Sequence, residues 1–171
     1  MKTLALLLVL SGIYFFGNSD LNAHENPAST NDTNPKQTKT DQANNQAFKD
    51  LISSAPTNAE VFIIEPLDGA TVSSPVTIKF GISNMSLAKA GDEIKNSGHH
   101  HLLIDMDELP AMDAPLPAND NIVHFGGGQT STELTLEPGE HTLQLLLGDH
   151  LHIPHNPPAM SPRISIMVVE E

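Results

Sequence analysis

The C-terminal two thirds of the sequence predicts an all-β fold, a sandwich of about seven short antiparallel strands. Six or seven β-prone segments occur there within about 110 residues, and clusters of Pro, Gly, Asn and Asp separate them. No segment of this region shows a convincing helical apolar period of about 3.6 residues. The clearest strand is residues 76–80, where Val76, Ile78 and Phe80 alternate with polar residues as in a half-buried strand.

The remaining strands follow along the chain, each bounded by turn residues. Pro66-Leu67-Asp68-Gly69-Ala70 supplies strong turn chemistry after the first strand. This opening, and the approach of Pro138-Gly139 to a later strand, are typical of immunoglobulin-like domains. The predicted strands are residues 61–64, 76–80, 100–105, 122–125, 132–136, 141–147 and 164–169. We therefore predict an immunoglobulin-like antiparallel β-sandwich domain over residues 59–171.

The N-terminus has the pattern of a signal peptide followed by a linker. Lys2 supplies positive charge, and residues 4–16 form a nearly continuous apolar run. That run is shorter than the roughly 20 residues that span a bilayer. We predict a signal peptide over residues 1–23, with cleavage after Ala23 or, alternatively, after Ser19. Residues 24–58 are mostly polar and predict a disordered linker, so we expect a periplasmic or secreted protein with no transmembrane segment after cleavage.

The composition excludes several classes of function. The net charge of −13 argues against nucleic acid or an anionic membrane as a partner. Without cysteine, disulfides, zinc ribbons and type-1 copper centres are impossible. The sequence carries no zinc-protease, nucleophile-elbow or phosphate-loop motif, so we expect neither enzyme activity nor an organic cofactor.

Histidine is the most informative residue type, since eight of the nine histidines lie between His99 and His155. Strand alternation places His99 and His101 on one face, and His100 on the other face with Leu102 and Ile104. Imidazoles two positions apart on one strand can reach a single metal ion. Further histidines follow other strands or lie in a proline-bounded loop. The predicted ligands of Cu²⁺ or Zn²⁺ are His99, His101, His124, His152 and His155.

Other residues are predicted to support these ligands. Asp105 and Asp149 are candidates to complete the site or to orient its imidazoles. The glycine run after His124 would let backbone pass close to another group. His141 occupies a position where immunoglobulin-like domains often have a corner-pinning tyrosine, and His100 is a candidate core residue. The supporting set is His100, Asp105, His141, Asp149, Gly126, Gly127 and Gly128.

Two other functions are consistent with these residues. In the first, the His and Gly motifs only shape the loops of an envelope adhesion or assembly module, so that the partner is an envelope protein or glycan rather than a metal ion. In the second, protonation of the histidines between about pH 7 and pH 5 cancels most of the negative charge and makes the surface responsive to pH. The sequence does not specify an oligomeric state.

Three blocks carry a resemblance to a known family. Residues 98–105 (GHHHLLID), residues 124–130 (HFGGGQT) and the span from Gly139 through LLLGD to PHNPP are similar to the bacterial family of domain of unknown function 4399. The similarity covers about residues 65–169. It implies an exported single-domain module whose working end carries the histidines, and it implies no particular reaction. The family-pattern positions are His99, His100, His101, His124, His141, His152 and His155, whereas His150 is additional.

Overall fold

A computed structural model describes residues 49–170, which form nine strands joined by loops. The strands are β1 (Glu60–Glu65), β2 (Thr71–Ser73), β3 (Val76–Ser83), β4 (Ser86–Leu87), β5 (Ser97–Ile104), β6 (Ile122–His124), β7 (Ser131–Leu134), β8 (Gly139–Gly148) and β9 (Ile164–Val169). All seven predicted strands are present. The two additional strands, β2 and β4, span three and two residues, which is too short for an alternating pattern to show. The predicted signal peptide and residues 24–48 of the predicted linker lie outside the described residues.

The strands form two sheets, and the predicted all-β sandwich is confirmed. The smaller sheet has the order β1-β3-β7, and the larger has the order β2-β9-β8-β5-β4, with β6 also pairing with β5. Most pairs are antiparallel, whereas the short strands β2 and β4 pair in parallel with β9 and β5. Strand β5 is therefore central: it has β8 along one edge and β4 and β6 along the other.

The hydrophobic core lies between the two sheets. In β3, Val76, Ile78 and Phe80 are buried while the residues between them are exposed, as the alternation predicts. They belong to one buried cluster with Leu102 of β5 and Leu145 of β8, which come from the opposite sheet. Burial of this apolar surface stabilises the sandwich by about 25 cal/mol for each Å² removed from water.

The outer face of the larger sheet is covered as well, so all eight residues of β5 are buried. A second apolar cluster of Leu103, Leu116, Ile122 and Leu146 lies on this face, and three methionines pack against it. The loops after β5 and after β8 form the cover, and the Leu116 amide of the first donates to the His152 carbonyl oxygen of the second, at 2.9 Å. This cover places the side chains on the outer face of β5 in a second interior.

The segment that precedes β1 also packs on the domain. Ala55 is buried in the main core. The Asn156 amide donates to the Ser53 carbonyl oxygen at 3.0 Å, which joins this segment to the loop after β8. Ser53 and Ala55, which lie in the last part of the predicted linker, therefore contact the domain. Among residues 49–170 no helix is long and apolar enough to cross a membrane.

Candidate metal centre

Two histidines of β5 begin the site, and strand alternation positions them. His99 and His101 both point to the covered outer face, and each is only 1 % exposed. Their ring centroids are 4.8 Å apart. Successive side chains on one face of a strand start about 7 Å apart, so the two rings lean towards each other.

His124 joins them from the neighbouring strand. It pairs directly with His101 across the β5–β6 ladder, and its ring centroid lies 5.1 Å from that of His101 and 4.9 Å from that of His99. One nitrogen from each of the three rings can be chosen so that all three atoms lie within 4.8 Å of one another. Tetrahedral Zn²⁺ with bonds of about 2.0–2.1 Å places its nitrogens about 3.4 Å apart, so these nitrogens would approach one another by at most about 1.4 Å on binding the ion.

A fourth imidazole comes from the loop after β8. The His152 ring centroid lies 4.8 Å from that of His124, 4.9 Å from that of His99 and 6.1 Å from that of His101. His152 has a φ of 66°, in the left-handed region that residues other than glycine seldom adopt. The structure thus brings together the rings of four of the five predicted ligands, His99, His101, His124 and His152, which we call the ring cluster. The nitrogens that lie within 4.8 Å of one another belong to the first three.

Five ring nitrogens of this cluster are buried without a hydrogen-bond partner in the described part of the chain. Both ring nitrogens of His99 and His101, and Nε2 of His124, are buried without one. A buried polar group without a partner costs about 1–3 kcal/mol. Proteins rarely retain several such groups together without a compensating ligand or water. A metal ion bound by one nitrogen of each ring would meet part of this requirement.

The protonation state of the rings also suits a cation. Burial, reinforced by the nearby His124 and His152, lowers the pKa of His99 to about 4, although Asp149 acts in the opposite direction. Burial, reinforced by repulsion from His99, His124 and His152, lowers the pKa of His101 to about 3, although the His99 backbone acts in the opposite direction. The pKa of His124 is also lowered, by burial and by His152. At neutral pH the rings of His99 and His101 are therefore uncharged, the form in which imidazole binds metals.

Glycines make room for the rings. Gly148 in β8 pairs with His99, and a Cβ added there would lie 2.7 Å from Cε1 of His101. A Cβ on Gly126 would collide with the His124 ring. Gly127 donates from its amide to Oε1 of Gln129 at 2.8 Å, and Gly128 has a φ of 76°. Gly148 was missed by the sequence reasoning, since its role depends on which strands are neighbours.

His155 lies among backbone groups rather than in the ring cluster. It is buried, with Nε2 3.1 Å from the Ser97 carbonyl oxygen and Nδ1 3.4 Å from the Leu147 carbonyl oxygen. A Cβ on Gly98 would lie 3.0 Å from its Cε1. These contacts hold the loop after β8 against the neighbouring ends of β5 and β8.

The other predicted supporting histidines have separate surroundings. His100 is fully buried on the core face of β5, in edge-on contact with Phe80 at 5.3 Å, and burial lowers its pKa to about 4. His141 has Nδ1 2.7 Å from Oδ2 of Asp105 and Nε2 2.8 Å from the Glu137 carbonyl oxygen. Burial lowers the pKa of His141, but these two hydrogen bonds and the Asp105 charge outweigh it and raise the pKa overall. Asp105 also accepts from the Thr142 amide at 2.8 Å, so it pins the end of β5 to β8.

Asp149 holds the backbone on either side of His152 by hydrogen bonds. The residue is 1 % exposed, and its carboxylate accepts hydrogen bonds from the amides of Leu151 and Ile153, at 2.9 and 3.0 Å. The Ser53 hydroxyl donates to its second oxygen at 2.8 Å. The sequence predicted that Asp149 completes the site or orients its imidazoles, whereas in the structure its hydrogen bonds hold the turn that carries His152.

Comparison with known proteins identifies one family. The family model described as Domain of unknown function (DUF4399) matches residues 78–169, from within β3 to the end of β9. The matched region contains every histidine of the cluster, and it confirms the resemblance seen in the sequence. No curated protein and no solved structure matches the chain.

Proposed function

The chain belongs to the family described as Domain of unknown function (DUF4399), and we propose that it binds one Cu²⁺ or Zn²⁺ ion through His99, His101 and His124. The observation that carries this proposal is the convergence of three imidazole nitrogens within 4.8 Å of one another on a covered sheet face. Two of the three rings are buried with neither nitrogen paired among the described residues. The imidazole ligands, the short distances between their nitrogens and the neutral state of the buried rings all favour metal binding.

The ligand set favours borderline metals over hard ones. Imidazole suits Zn²⁺, Cu²⁺ and Ni²⁺, whereas Mg²⁺ and Ca²⁺ prefer oxygen ligands. No thiolate is available in the chain to bind soft metals. Between the two candidates, Cu²⁺ has the higher intrinsic affinity for a nitrogen site of given geometry. We therefore expect Cu²⁺ to displace Zn²⁺ in direct competition.

The proposal includes a non-catalytic role in the cell envelope. The pattern of residues 1–23 supports export to the periplasm or beyond. A buried all-imidazole site on a covered sheet face of a small domain suits a metal buffer, carrier or sensor. The absence of the common catalytic motifs from the sequence supports a binding role.

Calorimetric titration of the untagged, metal-free protein with Cu²⁺ and with Zn²⁺ tests the proposal. We expect one equivalent to bind. Combined replacement of His99, His101 and His124 by Ala should weaken binding by more than about 100-fold, because even second-shell changes cost about 10- to 100-fold. The matched control is His150→Ala, which removes a neighbouring histidine outside the ring cluster.

Two results would contradict metal binding at this site. The first is that the wild-type protein takes up neither metal at neutral pH. The second is that the triple variant, shown to be folded, binds as tightly as the wild type. Either result would direct attention to the alternative of an adhesion or assembly module, in which the same residues only shape loops.

A further inference from the structure

The loop after β8 presents His152 in a conformation that needs support. His152 combines a φ of 66° with ring contacts of 4.8 Å to His124 and 4.9 Å to His99. A residue with a side chain adopts this backbone region only where surrounding contacts hold it there. If the backbone relaxed to an extended conformation, the imidazole would point away from the cluster. The contacts that hold residue 152 therefore control the fourth ring.

Those contacts converge on Asp149. Its Oδ1 accepts from the amides of Leu151 and Ile153, the residues on either side of His152. The His152 amide itself donates to the Asp149 carbonyl oxygen at 2.9 Å, and the Asp149 amide donates to the Ile153 carbonyl oxygen, also at 2.9 Å. Four hydrogen bonds thus join one buried aspartate to the turn that carries the ring.

The remaining carboxylate oxygen is engaged from outside the family-matched region. The Ser53 hydroxyl donates to Oδ2 of Asp149 at 2.8 Å, and the Ser53 carbonyl oxygen accepts from the Asn156 amide at 3.0 Å. Ser53 thereby spans the loop on both sides of His152. Because Asp149 is 1 % exposed, its charge depends on these donors in place of water.

From this geometry we infer that Asp149 is a positioning residue that holds His152 as the fourth ligand of the metal centre, and that Ser53 holds Asp149. The inference rests on the proposed metal-binding function and extends it. The metal affinity of the domain depends on the segment before β1, which lies outside the residues that carry the histidines. Movement of that segment would weaken the fourth ligand without disturbing His99, His101 or His124.

Copper affinity and ligand count in a set of variants test the inference. The untagged full chain is used as wild type and with His152→Ala, Asp149→Asn, Ser53→Ala, or Asp149→Asn combined with His152→Ala. Affinity for Cu²⁺ is measured against a competing chelator, and coordinated imidazoles are counted by pulsed electron paramagnetic resonance. Ser54→Ala is the matched control, because Ser54 is the exposed neighbour of Ser53.

We expect Asp149→Asn and His152→Ala each to weaken Cu²⁺ binding by about 10- to 100-fold and to remove one imidazole from the count. Ser53→Ala should act in the same direction with a smaller loss, and Ser54→Ala should match the wild type. Adding Asp149→Asn to His152→Ala should cause little further loss, since Asp149 acts through His152. Ser53→Ala removes a single hydroxyl, so it provides a test even where Asp149→Asn impairs folding.

Three results would overturn the inference. In one, Asp149→Asn and Ser53→Ala keep both the wild-type affinity and the wild-type imidazole count. In another, Asp149→Asn weakens binding by the same factor with and without His152, which indicates an effect of charge alone. In the third, the wild type binds no Cu²⁺, which also overturns the proposed function, whereas the first two leave that function standing.

Discussion

Lowering the pH from 7 to 5 should destabilise the metal-free protein by about 5–6 kcal/mol. Burial holds the pKa of His99 and His100 at about 4 and that of His101 at about 3, below the ordinary value of 6.5. The unfolded chain therefore binds protons first as the pH falls. Stability from these rings is complete above about pH 6.5 and is lost as the pH falls towards the folded-state values.

The magnitude follows from the three buried rings. Each contributes about 2 kcal/mol between pH 7 and pH 5, at about 1.36 kcal/mol per pKa unit. All three side chains are at most 1 % exposed, so water screens them little. The sum is comparable with the entire stability of a typical domain, about 5–15 kcal/mol. The raised pKa of His141 has the opposite sign: its contribution is complete below pH 6.5 and is lost as the pH rises through its folded-state value.

Urea unfolding in the presence of a chelator, at pH 7, 6 and 5, measures this effect. Far-ultraviolet circular dichroism is the suitable signal, because the chain has no tryptophan. Of the three rings, that of His100 lies on the core face. His100→Leu removes it, so this variant should lose about one third less stability between pH 7 and pH 5. His150→Ala is the control and should retain the full loss. Equal free energies of unfolding at pH 7 and pH 5 would refute the assignment of these rings as buried and neutral.

Three further predictions concern packing, metal binding and the end of β5. Gly148→Ala should cost about 1–2 kcal/mol of stability and weaken metal binding, because its Cβ would lie 2.7 Å from the His101 ring. Gly127→Ala, whose Cβ would have the flexible Gln129 side chain as its nearest neighbour, is the control, and equal behaviour of both variants in urea and metal titrations would contradict the argument. A hundredfold excess of Zn²⁺ over its Kd should add about 2.7 kcal/mol of stability in thermal unfolding, reversed by a chelator, and an unchanged melting temperature would count against binding. Asp105→Asn should weaken the contact with His141 and cost about 1 kcal/mol in urea unfolding at pH 6, and a smaller cost at pH 8. A cost that is the same at both pH values would show that the His141 charge is not involved.

Much of the fold was predictable because strand patterns are local. The alternation of Val76, Ile78 and Phe80 predicted a strand with one buried face, and the structure places all three in the core. The same alternation predicted His99 and His101 on one face and His100 on the other. The structure agrees, since the first two contact each other while His100 contacts Phe80. These features depend only on residues close together in sequence.

Placement of the loop histidines was less accessible to sequence reasoning. His152 and His155 are three positions apart in the same loop, yet one joins the ring cluster and the other faces backbone carbonyl oxygens. The positive φ of His152, and the hydrogen bonds that the Asp149 carboxylate accepts from the amides on either side of it, decide this difference. Ser53 carried no recognisable signal, because its partner lies 96 residues away in the chain.

The sequence by itself determined the class of fold, seven of the nine strands, the chemical character of the histidines and the exclusion of thiolate chemistry. Each depends on composition or on the two-residue period of a strand. Only the tertiary structure decided which histidines converge. That result requires His124 to lie across the β5–β6 ladder from His101, and Gly148 to lie across the β5–β8 ladder from His99. Strand neighbours are set by packing among distant segments, and burial of the rings is set by the loops that close over them.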